Sequence, residues 1–159
     1  MADCFLKLDQ VTGESHDQEF EGYIQVNSWQ WGVSQRAALQ GGGGGRSGVG
    51  EVQMLTFTHS LDSASAGLMS RCVKNLVIPK GDLVMRRAGG KAQKYLTIKL
   101  EKVRVLSVEL VHDKEHEMPS ERVVLNFDRI EMEYTSQSAA GSDKSGASSF
   151  QWLRINPDS

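Results

Sequence analysis

YLTIKLEKVRVLSVELV, residues 95–111, alternates apolar and polar side chains as a β-strand does, then changes which parity is apolar. Leu96, Ile98 and Leu100 hold even positions, Val103 and Val105 odd ones, and Leu106, Val108 and Leu110 even ones again. Side chains alternate faces with period two, so a flat strand cannot switch parity without turning its apolar face to water. A bulge, or passage from one packed sheet into another, permits the switch. The stretch 123–134 repeats the behaviour, with Val123, Leu125 and Phe127 followed by Ile130, Met132 and Tyr134. So does 23–33, with Ile24 and Val26 followed by Trp29, Trp31 and Val33. Strands that curl in this way predict a mainly β fold, a small closed β-barrel of two packed sheets.

The chain of 159 residues reads as a single domain, 1–159, large enough to bury roughly 70% of the surface its unfolded form exposes. Its core therefore requires no covalent staples, and Cys4 and Cys72, each inside an apolar pattern, read as free thiols. With 18 basic and 20 acidic residues and a net charge of −2, no clustered basic face marks a nucleic-acid partner. The basic residues Lys80, Arg86, Arg87, Lys91 and Lys94 surround Gly89-Gly90 and read as solvated arms of a hairpin turn. The first residues include Asp3 and Lys7, and no apolar run suits a signal peptide or a membrane span.

Short strands are expected at 4–8, 23–35, 52–58 and 83–87, and a last one from Phe150. Leu61, Ala64, Leu68, Met69, Cys72 and Leu76 follow helical spacing, predicting one flanking α-helix at about 61–74. Ser60 or Asp62 suits its N-terminal cap, and Arg71, Lys74 and Asn75 its C-terminal end. Pro79 and Gly81 read as punctuation before the next strand, 113–119 as an acidic loop, and 135–149, rich in Ser, Gly and Ala, as linker.

Gly41 to Gly45 are consecutive glycines inside a loop at about 37–50. No Gly-Lys-Ser/Thr follows and a strand, not a helix, comes next, so the loop is no phosphate cradle. Ordering a backbone costs about 1–2 kcal/mol per residue, and glycine adds about 0.5–1 kcal/mol. Two readings stay open: a floppy hairpin, or an arm whose ordering is offset by docking on another subunit.

Catalytic and metal patterns fail on geometry. His112 and His116 are four apart at a strand end before Pro119, where that spacing does not bring two rings together. His59, Ser60 and Asp62 carry the letters of a hydrolytic triad but are too close in sequence to converge as one. His59 reads as a helix-entry residue. The expectation is of no enzyme, no metal and no cofactor. Trp29 and Trp31 share one strand face and read as core, leaving Ser28 and Gln30 on the opposite face; a sugar-stacking platform is the competing use of the two indoles.

In order along the chain, MADCFLK (1–7), SWQWGVSQ (28–35), the glycine loop, LTFTHSLDSASAGLM (55–69), RAGGKAQKYLTIKL (87–100) and VVLNFDRIEMEYT (123–135) resemble the haemolysin-coregulated protein (Hcp) family, the tube subunits of bacterial type VI secretion systems. The resemblance covers essentially the whole chain and rests on the combined order of segments. It implies a barrel with one flanking helix that forms homohexameric rings stacked into a hollow tube, ejected by a contracting sheath. It further implies effector proteins held in the lumen, a spike protein at the tube tip, and a bacterial cytoplasmic protein that is secreted without a cleaved signal. The family's lumen-facing position falls on Gln30, with Ser28 beside it, and its ring-stacking loop on Arg36, Gln40, Gly41, Gly45, Arg46 and Ser47. The alternative of a different class is a monomeric carbohydrate- or small-ligand-binding barrel using Trp29 and Trp31.

Overall fold

A computed structural model of the chain describes residues 2–35, 50–88, 93–136 and 145–154. Among them are eleven strands and one helix: β1 (Ala2–Leu8), β2 (Ile24–Gln25), β3 (Ser28–Gln30), β4 (Val33–Gln35), β5 (Gly50–Val52), β6 (Leu55–Ser60), α1 (Ser65–Lys74), β7 (Ile78–Arg87), β8 (Lys94–Val111), β9 (Ser120–Asn126), β10 (Arg129–Ser136) and β11 (Ser145–Leu153). The fold is mainly β with one helix, as the alternation predicts. The main sheet runs in the order β2-β1-β7-β8-β9-β6-β3, with β10 paired to β8 and β11 to β10. No ladder of hydrogen bonds closes this path among the described residues, so the closure expected of a barrel is not a hydrogen-bonded one. The two ends of the path, β2 and β3, are neighbours along the chain. The Val26 N–H donates to the Cys4 carbonyl of β1, and the Asn27 N–H to the Thr58 carbonyl of β6.

Each parity switch coincides with a bend. β8 pairs through Leu96–Glu101 with β10 and through Arg104–Val111 with β9, so β8 and β9–β10 form one long hairpin broken at a shared corner. Lys102 occupies that corner with φ 52°, a left-handed conformation that turns the strand, and Phe127-Asp128 face it on the partner. Ile98, Leu100, Val103 and Val105 are all buried, two before the corner and two after it. A second irregularity lies between Val105 and Ser107. It corrects one expectation: Leu106 is an extra outward residue of the bulge and is 45% exposed, while Val108 packs on the core. Leu110 is also exposed, because the core ends before the tip of the hairpin.

The core fills the inside of the bend with Leu6, Leu8, Ile24, Leu55, Phe57, Leu68, Ile78, Leu83, Ile98, Leu100, Leu125 and Ile130. The helix begins later than the spacing predicts, at Ser65, with Ala64 and Leu68 buried and Cys72 packed against the core. Asp62 accepts a hydrogen bond from the Ala64 N–H at 2.8 Å, and Asn75 ends the helix in the left-handed conformation expected of a C-terminal stop. Leu76 lies past that stop and is exposed.

Three further expectations are corrected. The strand expected at 23–35 is three short strands, because residues 24–30 hand over from β1 to β6. Pro79 and Gly81 do not precede a strand but lie within β7, where a Cβ on Gly81 would approach Leu8 Cδ2 to 2.7 Å. The linker expected at 135–149 is partly strand: Glu133, Tyr134 and Thr135 of β10 pair with Ser149, Ser148 and Ala147 of β11. Linker composition failed as a signal because an edge strand paired on one side tolerates Ser and Gly at solvated positions.

Candidate functional site: two outward faces and a buried polar cluster

The pleat sorts the outward residues of the bent sheet into two faces. On the half built from β3, β6, β9 and the end of β8, cross-strand pairing sets Ser28, Thr58, Arg122 and Glu109 in one row. Gln30, Thr56, Val124 and Ser107 make the next, and Ser60, Ser120 and Val111 a third. Ser28 and Gln30 are exposed, as the sequence predicts, and the Ser28 and Thr58 hydroxyls hydrogen-bond at 2.6 Å. The face carries few charges: its Arg122 and Glu109 are direct cross-strand partners, and Arg104, opposite Asn126, stands at its corner end.

On the half built from β1, β7, β8 and β10, charges alternate in two dimensions. Lys7, Asp82, Lys99 and Glu131 form one row and Lys80, Glu101 and Arg129 the adjacent one, with Asp9 beyond Lys80 through its N–H to the Lys80 carbonyl. Each charge has opposite charges beside it. Arg129 reaches Glu101 at 3.5 Å and Glu131 at 3.7 Å. Burial pushes the Asp82 carboxyl up, with Lys99 and Lys80 opposing and Asp9 adding to the rise.

Trp29 and Trp31 turn inward and pack against the core; the Trp29 indole N–H donates to Met85 Sδ at 3.3 Å, and the Trp31 ring lies 6.1 Å from that of Phe150. Both indoles are half-buried and spent on core contacts, which favours the core reading over a sugar-stacking platform. Arg86 anchors residues 15–23 over β1 and β7. Its guanidinium bonds Asp17 at 2.6 Å and Asp3 at 3.0 Å and lies over the rings of Phe5 and Phe20. The hydrogen bond from Arg86 holds the Asp17 carboxyl below its usual range.

One polar cluster went unread in the sequence. His59 and Glu121 are cross-strand partners on β6 and β9, both fully buried, with Nε2 and Oε1 2.8 Å apart. Asp62 Oδ2 is 3.6 Å from His59 Nδ1. Burial opposes a charge on His59, yet the hydrogen bonds and charges of Asp62 and Glu121 outweigh it and raise its pKa above the ordinary value. His59 is therefore more than a helix-entry residue; it ties β6, β9 and the start of α1 together. Ser60 is exposed on the opposite face of β6, so the triad letters do not converge. The signal was available: His59 shares the inward parity of Leu55 and Phe57, and Glu121 that of Val123 and Leu125.

His116 Nδ1 lies 2.8 Å from Asp113, and the His112 ring approaches the His116 carbonyl, so the two rings are not jointly aimed. No group of three potential metal ligands occurs among the described residues. The stacking candidates Arg36, Gln40, Gly41, Gly45, Arg46 and Ser47 lie outside the described residues. Among the described residues, no helix is long and apolar enough to cross a membrane.

A bent sheet with one hydroxyl-bearing face, one charge-alternating face and a polar cluster buried at the entry to the helix is the scaffold these residues build. The sequence matches the family described as "Type VI secretion system effector, Hcp" over residues 5–134, and the chain belongs to that family. It is 36% identical over 151 residues to protein hcp1 of Pseudomonas aeruginosa, covering 94% of this chain and 93% of that one. The fold matches Hcp1 from Salmonella typhimurium with TM-score 0.75 and 29% identity, over 96% of this chain and 94% of that one. It matches a type VI secretion system effector from Yersinia pestis with TM-score 0.77 and 28% identity, over 95% and 99% of the two chains. No enzymatic family is indicated by these matches.

Proposed function

We propose that this chain is a structural tube subunit of a bacterial type VI secretion system, forming hexameric rings that stack into a tube and leave the cell with it. The observation that carries this reading is the family match along nearly the whole chain, 94% of it in the Pseudomonas relative. In this reading the sheet acts as a barrel whose seam at β2–β3 is made by the chain itself. The hydroxyl-rich face bearing Ser28 and Gln30 lines the lumen and meets effector proteins. A hydrogen-bonding wall with few charges suits passing contact with varied cargo better than a densely charged one does, since charged surfaces hold or repel partners by sign. The sheath and the tip spike are the remaining partners, and the 37–50 loop is the arm to the next ring.

Electron microscopy of the purified protein tests the assembly, with six-fold rings as the expected image. Monomers alone at micromolar concentration and moderate salt would overturn it. Deleting residues 41–48 is expected to weaken stacking while leaving the subunit folded by circular dichroism. An unfolded deletion would instead assign that loop to the core.

A further inference from the structure

The corner of the long hairpin carries a basic notch. Lys102, Arg104, Arg129 and Arg154 line a concavity of about 450 Å³ with Glu101, Asp128 and Leu153. Among the described residues four cations face two carboxylates there, a surplus of two positive charges. Arg154 lies 3.4 Å from Asp128, and Arg129 pairs with Glu101. Lys102 and Arg104 are exposed and pair with no carboxylate among the described residues.

The other end of the same hairpin carries the opposite sign. Between β8 and β9, Asp113, Glu115 and Glu117 outnumber Lys114 by two, and all four are exposed. Asp113 is engaged locally, by His116 and by the Glu115 N–H, which hold its carboxyl below the usual range. Glu115 and Glu117 remain the outward charges.

From Arg104 to Val111, β8 spans about 23 Å at roughly 3.3 Å per residue. A paired hairpin cannot fold back to join its own ends, so the two opposite surpluses cannot neutralise each other within one copy, whereas a second copy offers each its complement.

We propose that Glu115 and Glu117 of one copy of this chain seat in the Lys102–Arg104 notch of a second copy, joining copies head to tail. The contact uses different surfaces on its two sides, so it repeats from copy to copy into a closed ring or a continuing stack. It rests on the self-assembly reading above and adds the surfaces and charges that mediate it. Exposed ion pairs of this kind are screened by salt, which makes the contact adjustable.

The experiment is sedimentation of the full chain between about 50 mM and about 500 mM salt, where screening tightens severalfold. Wild-type assemblies are expected to lose mass as salt rises. The Glu115→Lys/Glu117→Lys variant and the Lys102→Glu/Arg104→Glu variant should each need about tenfold more protein to assemble at low salt. An equal mixture of the two should recover assembly, because each supplies the sign the other now needs. If a reversal variant fails to fold by circular dichroism, Glu115→Gln/Glu117→Gln takes its place, with a smaller loss expected. Rings or stacks indifferent to both salt and reversal, or a mixture that recovers nothing, would overturn this contact alone. A wild-type chain that stays monomeric throughout would overturn the tube reading with it.

Discussion

The two outward faces share strand β8 yet differ in chemistry, one a lattice of alternating charge and the other mostly hydroxyls, amides and valines, with Arg122 and Glu109 as cross-strand neighbours and Arg104 at the corner end. Both cover the same apolar interior, and neither is set by the period of the sheet, which fixes only which residues point outward. The lattice keeps water bound and gives another sheet nothing apolar to adhere to, while the hydroxyl face can lie against polar surfaces of either sign. One strand thus contributes to both faces because its corner at Lys102 separates them.

The largest effect is expected beneath the hydroxyl face. Replacing Glu121 by Ala leaves His59 buried without its partner and should cost about 3–5 kcal/mol in urea unfolding. A loss under about 1 kcal/mol would mean that water already reaches the cluster.

At the seat of the charged face, Gly81→Ala forces a Cβ against the fully buried Leu8. A loss of about 1–3 kcal/mol is expected, read from the same unfolding curves.

The pH dependence follows from His59. Its folded pKa lies above its unfolded value near 6.5, so the stabilisation is complete below about pH 6.5 and drains as pH rises through the folded value. Urea midpoints measured from pH 6 upward should fall more steeply for wild type than for His59→Gln, and parallel curves would refute the assignment.

On the lattice, Arg129→Glu sets three carboxylates side by side. It should cost up to about 1 kcal/mol at low salt and less at high salt. On the hydroxyl face, Ser28→Ala removes one exposed hydrogen bond and should change stability by no more than about 0.5 kcal/mol at any salt. Equal salt sensitivity of these two variants would erase the distinction between the faces.

Much of this was legible in residues 95–111 and 123–134, because burial follows parity and each switch of parity is a physical corner. Trp29 and Trp31 inside, with Ser28 and Gln30 outside, followed from the same rule. Leu106 was misread because a bulge adds a residue without announcing itself in composition. β11 was misread because Ser and Gly at an edge look like linker. The His59–Glu121 pair stayed hidden because sequence distance conceals a cross-strand neighbour, although both residues violate the apolar parity of their strands. The alternating charges were visible one by one, but their order depends on register, which no single strand contains.

The long hairpin also bears on how the subunit carries load. Its strands run unbroken in covalent connection through the corner and are paired on both sides of it. Tension along them is shared by many backbone hydrogen bonds strained in shear together, whereas peeling a strand from an edge breaks them in turn. A subunit built on that arrangement yields as a whole or holds.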